Sequence, residues 1–143
     1  LLSLTAPKIS DSDVTRFAVD AVRASHTFTF NNWRENFKKV KRRYFVSDAP
    51  FNDFMRALRE DNTLKSIVEN RLSVTSTIQG AAVIQRRFQR DGQRFWQVRF
   101  PLMLTYVSAQ GESEQRLTAF VTVSLQPPEK TPKGLAIENI ILR

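Results

Sequence analysis

The sequence of 143 residues contains no cysteine, one histidine and four glycines. Without cysteine the chain forms no disulfide, offers no thiolate to a metal and has no thiol nucleophile. We therefore expect a fold that is indifferent to the redox state of its compartment. The lone histidine, His26, lies at the border of an apolar helical stripe and is interpreted as an ordinary boundary residue. Neither a cysteine nucleophile nor a zinc site has its usual ligands or base.

The glycines are too few and too scattered to build a phosphate-binding loop. Such a loop needs several glycines close together, so that the backbone can approach the phosphates. We therefore predict neither a phosphate-binding loop nor a cofactor. The glycines fall singly at predicted turns, as Gly80, Gly92, Gly111 and Gly134.

No apolar run in the chain reaches the roughly 20 residues that a membrane-spanning helix needs. The longest run, 100–104, contains Pro101. We therefore expect a soluble chain. It begins at Leu1 rather than methionine, and Leu1 to Leu4 are too few for the apolar core of a secretory signal, so we expect an excised fragment or a processed chain.

Basic side chains outnumber acidic ones, 22 to 14, which gives a formal net charge of +8. This balance favours an acidic partner, either a nucleic acid, an anionic lipid surface or an acidic protein face. The length fits a single domain over residues 1–143. Within it we expect a lead-in at 1–9, a helical layer at 10–70 and an antiparallel sheet at 71–143.

The first half of the chain has the periodicity of amphipathic helices. The first stripe predicts a helix that reaches Phe28, with Ser10 or Ser12 as its N-cap. A break at Asn31-Asn32 separates it from the second helix. The expected apolar positions are Val14, Phe17, Ala18, Ala21, Val22, Ser25 and Phe28 in the first helix, Trp33, Phe37, Val40 and Tyr44 in the second, and Phe51, Phe54, Met55 and Leu58 in the third, before a short fourth helix at 64–68.

After Arg71 the apolar periodicity changes to two, which is typical of half-buried antiparallel strands. Asp91-Gly92 predicts a tight hairpin between two of these strands. The expected strand segments are 72–78, 83–88, 95–106, 117–125 and 135–142.

Helices followed by strands, without βαβ alternation, indicate an α+β domain. We predict N-terminal helices packed on one face of a strongly curved four-stranded antiparallel sheet, which gives a cone-like shape. Pro101 lies in the middle of the longest strand and predicts an edge position or a bulge there.

A dense basic cluster surrounds the narrow apolar seam of the second helix. Glu35 is the one acidic residue between Trp33 and Tyr44. One interpretation is a solvated helix face whose aliphatic stems cover apolar surface. The other is a docking site for an acidic protein or for lipid headgroups. The candidate partner-binding residues are Arg34, Lys38, Lys39, Lys41, Arg42 and Arg43.

A second cluster mixes arginines with aromatic residues across the predicted hairpin. Such mixtures can stack on and neutralise single-stranded nucleic acid. However, Trp96 belongs to the core-facing alternation, and charged hairpins often protect sheet edges. The candidate nucleic-acid-binding residues of this alternative are Arg86, Arg87, Phe88, Arg90 and Arg94, followed by Phe95 and Arg99.

Two pairs of carboxylates lie close together in sequence, Asp11 with Asp13 and Glu60 with Asp61. Asp11 and Asp13 begin the first predicted helix, where attraction to the positive helix end explains them better than acid–base catalysis. Glu60 and Asp61 end the third predicted helix. We therefore predict that neither pair is catalytic.

A cone-like domain can also open into a pocket that holds one acid with a shifted pKa, as in some isomerases. Asp20 is the candidate for that role in this sequence. Its spacing favours a surface ion pair with Arg16 or Arg23 instead. An enzyme with such a pocket is therefore the third functional hypothesis, after a protein-docking domain and a nucleic-acid-binding module.

Short segments along nearly the whole chain have a specific order and spacing. They are Thr27-Phe28-Thr29-Phe30-Asn31-Asn32-Trp33-Arg34, Tyr44-Phe45, Phe54 with Ala57-Leu58, Trp96-Gln97-Val98 with Phe100-Pro101-Leu102, Thr105-Tyr106, and Pro132-Lys133-Gly134-Leu135-Ala136-Ile137. Together these segments resemble the soluble domain of the DotI/IcmL/TraM family. The basic character of the chain favours the TraM branch, which is found on conjugative plasmids.

The resemblance implies a periplasmic domain of a bacterial inner-membrane protein, anchored by a membrane helix outside this chain. It implies a cone of the VirB-eight type, similar in shape to cystatin and nuclear-transport-factor domains. It also implies assembly with itself and with other inner-membrane subunits of a type IVB secretion or conjugation system. No enzymatic activity, small-molecule substrate or catalytic residue is implied, so the leading hypothesis is a non-enzymatic assembly subunit.

Overall fold

Helices occupy the first half of the chain and strands the second in the computed structural model, which describes residues 8–127, 129–131 and 133–143. A two-residue strand between the first two helices interrupts this order. The helices are α1 (Asp11–Ser25), α2 (Trp33–Tyr44), α3 (Asp48–Glu60) and α4 (Thr63–Glu69). The strands are β1 (Phe28–Thr29), β2 (Ser73–Ile78), β3 (Val83–Arg90), β4 (Gln93–Ser108), β5 (Gly111–Leu125) and β6 (Leu135–Leu142).

Helix α1 begins at a capping box. The Ser10 hydroxyl accepts a hydrogen bond from the Asp13 N–H, and the Asp13 carboxylate accepts one from the Ser10 N–H. These two bonds satisfy backbone donors that a helix start leaves unpaired. The predicted apolar stripe is buried as far as Ser25. The prediction that this helix reaches Phe28 is wrong, because Phe28 pairs with Val74 of β2 as part of β1.

The sheet is antiparallel throughout and has the order β1-β2-β4-β5-β6, with β3 also paired to β4. Strand β2 pairs with the second half of β4 and β3 with the first half, so β2 and β3 lie end to end along one edge of β4. Among the described residues the sheet therefore has six strands, where the sequence predicts four. Strand β1 is too short to show an alternation in sequence, and β2 and β3 share one row of the sheet.

The predicted alternation places the core on one face of the sheet. Phe100 and Leu102 of β4 are almost fully buried, and so are Val121 of β5 and Ile137 of β6. Helix α1 crosses this face against β2 to β6, and α3 lies against β6. The predicted α+β fold, with helices packed on a strongly curved antiparallel sheet, is confirmed.

Pro101 lies inside β4, which is paired along both of its edges. Its pairing with Thr118 of β5 continues without a register shift, so the predicted bulge at Pro101 is wrong. The Pro101 carbonyl accepts a hydrogen bond from the Gln79 N–H, just beyond the end of β2. The missing N–H of proline therefore faces the gap between β2 and β3, where the ladder needs no donor. The register shift of this sheet edge lies in β3, between Ile84 and Arg86.

The predicted hairpin at Asp91-Gly92 joins β3 to β4. Asp91 has a φ of 53° and Gly92 a φ of 77°, and both values are positive. A two-residue turn of this kind matches the right-handed twist of the strands it joins. Within the described ranges, no helix combines the length and apolar character required to cross a bilayer.

Candidate functional site

The basic residues of α2 divide between different sides of the helix. Arg34, Lys38 and Lys41 are spaced by four and three residues and lie on the flank that faces α3. This spacing brings side chains to one side of a helix. The other three predicted partner-binding residues do not line that flank. They are Lys39, Arg42 and Arg43.

A groove with a volume of about 490 Å³ runs between α2 and α3. Its floor is apolar and consists of Trp33 and Phe37 from α2 and Phe51 and Met55 from α3. Phe37 and Met55 are buried, whereas Trp33 and Phe51 are half-buried. The polar side chains along its two sides are Arg34, Lys38 and Lys41 from α2 and Asn52, Arg56 and Arg59 from α3.

Aromatic packing fixes the floor from below. The Phe37 ring packs edge-on against Phe28 at 5.0 Å and against Phe54 at 6.0 Å between ring centres. Phe51 packs edge-on against Phe45 at 5.4 Å. Such pairs add to the stabilisation from buried apolar area. The floor of the groove is therefore continuous with the core.

Five cations and no carboxylate line the groove. Three of the cations have an acidic neighbour outside it: Glu35 lies 3.6 Å from Lys38, Asp48 2.7 Å from Lys41 and Asp53 3.0 Å from Arg56. The hydrogen bond from Lys41, together with its charge, lowers the pKa of the Asp48 carboxyl. Arg34 and Arg59 form no ion pair with any acid in the described part of the chain.

Two of the cations also lie over aromatic rings. The guanidinium carbon of Arg34 is 4.3 Å from the centre of the Trp33 ring, and Lys41 Nζ is 5.6 Å from that of Phe51. Cation–π contacts at such exposed positions contribute about 0.5–1 kcal/mol each. They hold these two charges beside the aromatic rings of the floor.

Sequence reasoning missed the α3 side of this groove. Arg56 and Arg59 are separated by three residues, next to Met55 on the apolar stripe of α3. This spacing indicates that α3 has a basic side next to its apolar stripe. Nothing in the sequence indicates that this flank faces α2, because the pairing of the two helices depends on tertiary packing.

The second predicted cluster is divided between the two faces of the sheet. Phe88 lies opposite Phe95, and their rings stack with centres 5.1 Å apart on the face away from the helices. The guanidinium carbons of Arg86 and Arg90 lie 4.6 Å and 5.7 Å from the centre of the Phe88 ring. The faces of the Phe88 ring, on which a nucleic-acid base would stack, are therefore occupied by neighbouring side chains.

Two further arginines of this cluster, Arg87 and Arg94, lie on the helix side. Arg87 is opposite the buried Trp96 and forms an ion pair with Asp11 in the first turn of α1. The guanidinium carbon of Arg94 is 5.8 Å from the centre of the Trp96 ring. The five predicted nucleic-acid-binding residues therefore do not form one continuous surface.

A cavity of about 900 Å³ is lined by α1, by the Asp91-Gly92 hairpin and by the segment between β5 and β6. Asp13 and Asp20 are among its lining residues. The hydrogen bond that the Ser10 N–H donates, together with the Ser10 side chain, lowers the pKa of Asp13, which is the N3 residue of the α1 capping box. The predicted pairing of Asp20 with Arg16 is wrong, because Arg16 lies 4.0 Å from Asp13 instead. Arg23 forms no ion pair with a described acid either.

His26 is more buried than the sequence predicts, with 6% of its surface exposed. Its Nδ1 lies 2.9 Å from both the Ser25 hydroxyl and the Val22 carbonyl oxygen. The ring packs edge-on against Phe54 at 5.8 Å. Burial lowers the pKa of His26, an effect partly offset by the hydrogen bond to Val22. His26 is thus a core residue at the C-cap of α1, in surroundings that disfavour the charged imidazolium.

Two solved domains share the fold over almost their full lengths. The periplasmic domain of DotI is 23% identical with a TM-score of 0.89, and the alignment covers 96% of this chain and 98% of that one. A periplasmic fragment of TraM is 27% identical with a TM-score of 0.85, at 95% and 98% coverage.

A more distant structure extends this likeness. CagV from Helicobacter pylori, a VirB8 homolog, is 13% identical with a TM-score of 0.56, and the alignment covers 92% of this chain and 94% of that one. The predicted cone of the VirB-eight type therefore agrees with a solved member of that class.

The sequence of the whole chain, residues 1–143, matches the profile of one protein family. That family is described as a type-IV b secretion system, inner-membrane complex component. No protein among curated sequences matches significantly. The predicted resemblance is confirmed by the profile and by the solved structures together. The chain therefore belongs to the DotI/IcmL family of inner-membrane complex components of type IVb secretion systems.

Proposed function

We propose that this chain is a non-enzymatic assembly subunit of the inner-membrane complex of a type IVB secretion or conjugation system. It lies in the periplasm and binds a second copy of itself and other subunits of the complex. The DotI domain and the TraM fragment are both described as periplasmic. Membership in a family of inner-membrane complex components supports this proposal. Membrane attachment through a segment outside this chain is part of it.

The observation that carries the proposal is the groove between α2 and α3. It combines a recessed apolar floor, half-buried aromatic rings and charged sides. Protein interfaces have this arrangement, with aromatic residues, methionine and arginine enriched at the centre and a polar rim. Two exposed arginines without an acidic partner in the described residues leave charge for a partner to satisfy.

The roles of three acidic residues support a non-enzymatic function. Asp13 caps α1, Asp11 pairs with Arg87, and Asp61 accepts a hydrogen bond from the Thr63 N–H at the start of α4. Each of these carboxylates is thus explained by a structural contact. Among the described residues, no three side chains of the metal-binding types group together.

Site-specific photocrosslinking in cells tests the proposal. A photoreactive amino acid replaces Lys38 or Arg56, one on each side of the groove, and Lys39 as the matched position outside it. We expect crosslinks to another subunit, or to a second copy of the chain, from the two groove positions and not from position 39. Equal labelling from all three positions, or labelling from position 39 alone, would reject the groove as the docking surface.

A further inference from the structure

The two helices that form the groove contribute side chains at the same spacing. In α2 the lining positions are 33, 34, 37, 38 and 41, and in α3 they are 51, 52, 55, 56 and 59. On each helix the first and third of these positions form the floor, and the others form the side. The result is an open trough with a basic wall on each helix.

The trough is long enough to hold a regular secondary-structure element. From Arg34 to Lys41 the α2 wall rises about 10 Å, at about 1.5 Å per residue. The α3 wall from Asn52 to Arg59 covers the same number of residues. A length of two helical turns matches the two or three apolar side chains that an amphipathic helix presents at positions i, i+3 and i+4.

The charges of the trough select the chemistry of its occupant. Arg34, Lys38 and Lys41 stand on one wall, and Arg56 and Arg59 on the other. A segment lying between these walls meets positive charge on both sides. Carboxylates on both flanks of its apolar stripe are therefore favoured, and lysine or arginine there is disfavoured by like-charge repulsion.

The floor favours apolar side chains of varied shape. Met55 has an unbranched and polarizable side chain, which adapts to different neighbours. Trp33 and Phe51 are half-buried, and each provides a flat apolar ring surface beside it. An occupant that covers them removes these rings from water, at roughly 25 cal/mol for each Å² buried.

We infer that the trough between α2 and α3 binds an acidic amphipathic helix of a partner protein. The apolar stripe of that helix lies on Trp33, Phe51 and Met55, and its carboxylates meet the cations of both walls. The inference rests on the proposed function and adds the chemistry and binding mode of the partner.

A lipid surface fits these features less well. A flat layer of headgroups meets the outermost cations of a helix and does not enter a recess between two helices. On α2 the exposed residues outside the trough include Lys39, Arg42 and Arg43, so a membrane would use them together with the trough. A helix bound in the trough uses Lys38 and Arg59 and does not use Lys39 or Arg43.

Titration with designed peptides tests the inference. The probe is a peptide of about 15 residues, a length at which isolated helices begin to be stable, with a leucine stripe flanked by glutamates. One control peptide has lysine in place of glutamate, and a second has serine in place of leucine. Trp33 emission reports binding, because Trp33 lines the trough whereas Trp96 is buried with 5% exposure.

We expect the acidic leucine peptide to shift Trp33 emission and each control peptide to bind at least about tenfold more weakly. The double variant Lys38→Glu/Arg59→Glu should weaken binding by at least about tenfold. The variant Lys39→Glu/Arg43→Glu makes the same change in charge outside the trough and should change affinity less than about threefold. Circular dichroism spectra and unfolding midpoints confirm that both variants are folded.

Three outcomes would overturn the inference. The first is no binding of the acidic leucine peptide, and the second is equal loss of affinity in the two double variants. The third is binding to vesicles of phosphatidylglycerol and phosphatidylethanolamine that competes with the peptide and is weakened by both double variants. That result would assign the surface to lipid. If crosslinks from position 38 persist after any of these results, the assembly function stands and only the chemistry of the partner is wrong.

Discussion

The ammonium group of Lys41 lies 2.7 Å from the Asp48 carboxylate and joins α2 to the first turn of α3. Since Lys41 also lies over the Phe51 ring, it contacts α3 at two points. The pair spans the turn between the two helices and sets how the walls of the groove meet at that end. Both side chains remain partly exposed, so the contact orients the helices more than it stabilises the fold.

The Lys41–Asp48 pair predicts a shifted titration. The hydrogen bond and charge of Lys41 hold the pKa of Asp48 below its ordinary value of 3.8. The pair therefore contributes to the free energy of unfolding above about pH 3.8. This contribution is lost as the pH falls through the lower pKa that Asp48 has in the folded chain. We expect Lys41→Met to raise the pKa of Asp48. A titration followed by NMR of the Asp48 carboxyl carbon measures this pKa. Lys39→Met should leave it unchanged, and an equal rise in both variants would assign the shift to net charge.

His26 predicts an acid-sensitive stability. Burial lowers its pKa in the folded chain below the ordinary value of 6.5, so beneath that pH the unfolded chain binds a proton that the folded chain does not. As the pH decreases from about 6.5, the free energy of unfolding should fall by at most about 1.4 kcal/mol per pH unit. Above about pH 6.5, His26 should contribute no pH dependence. Urea unfolding of wild type and His26→Gln at about pH 7.5 and about pH 5.5 measures this. The same pH slope in both proteins would refute the prediction.

A side chain at position 80 should clash with its neighbours at the gap between β2 and β3. A Cβ atom at Gly80 would lie 2.9 Å from Cγ of Pro101, and the proline ring has little freedom to move away. We expect Gly80→Ala to lower the free energy of unfolding by roughly 1–3 kcal/mol, as overpacking does. Thermal or urea unfolding measures the change. In a Pro101→Ala background the cost should decrease, and an undiminished cost there would show that the proline ring is not its source.

The outer face of the β3–β4 hairpin predicts only unspecific contact with nucleic acid. Since Arg86, Arg90 and Phe95 occupy the faces of Phe88, we expect any affinity for single-stranded DNA to be electrostatic and to fall steeply with salt. Phe88→Leu should not change it. Fluorescence anisotropy at low and moderate salt measures both effects. Salt-resistant binding that is lost in Phe88→Leu would support the nucleic-acid-binding alternative.

Local sequence patterns predicted the elements whose burial follows a simple period. The α1 stripe from Val14 to Ser25 and the alternation of β4 are of this kind, because one buried face imposes its period on the sequence. Strand β6 begins and ends at its predicted residues. Strand β1 has two residues and no period, so it could be found only through its pairing with β2.

The candidate site was half predictable for a related reason. The basic side of α2 is visible as a run of charges in one segment. Which of these basic residues line the groove and which lie outside it depends on where α3 packs. Arg56 and Arg59 of α3 also join the site only through that packing. The same holds for Arg87, whose partner Asp11 lies far away in sequence.

Transfer of substrate by living cells tests the docking groove most directly. In a strain lacking the gene, the full-length protein is supplied as wild type, as Lys38→Glu/Arg59→Glu or as Lys39→Glu/Arg43→Glu, at matched protein levels. We predict that the groove variant reduces transfer at least about tenfold, while the outer variant stays near wild type. Wild-type transfer by the groove variant, or equal loss in both variants, would contradict the account.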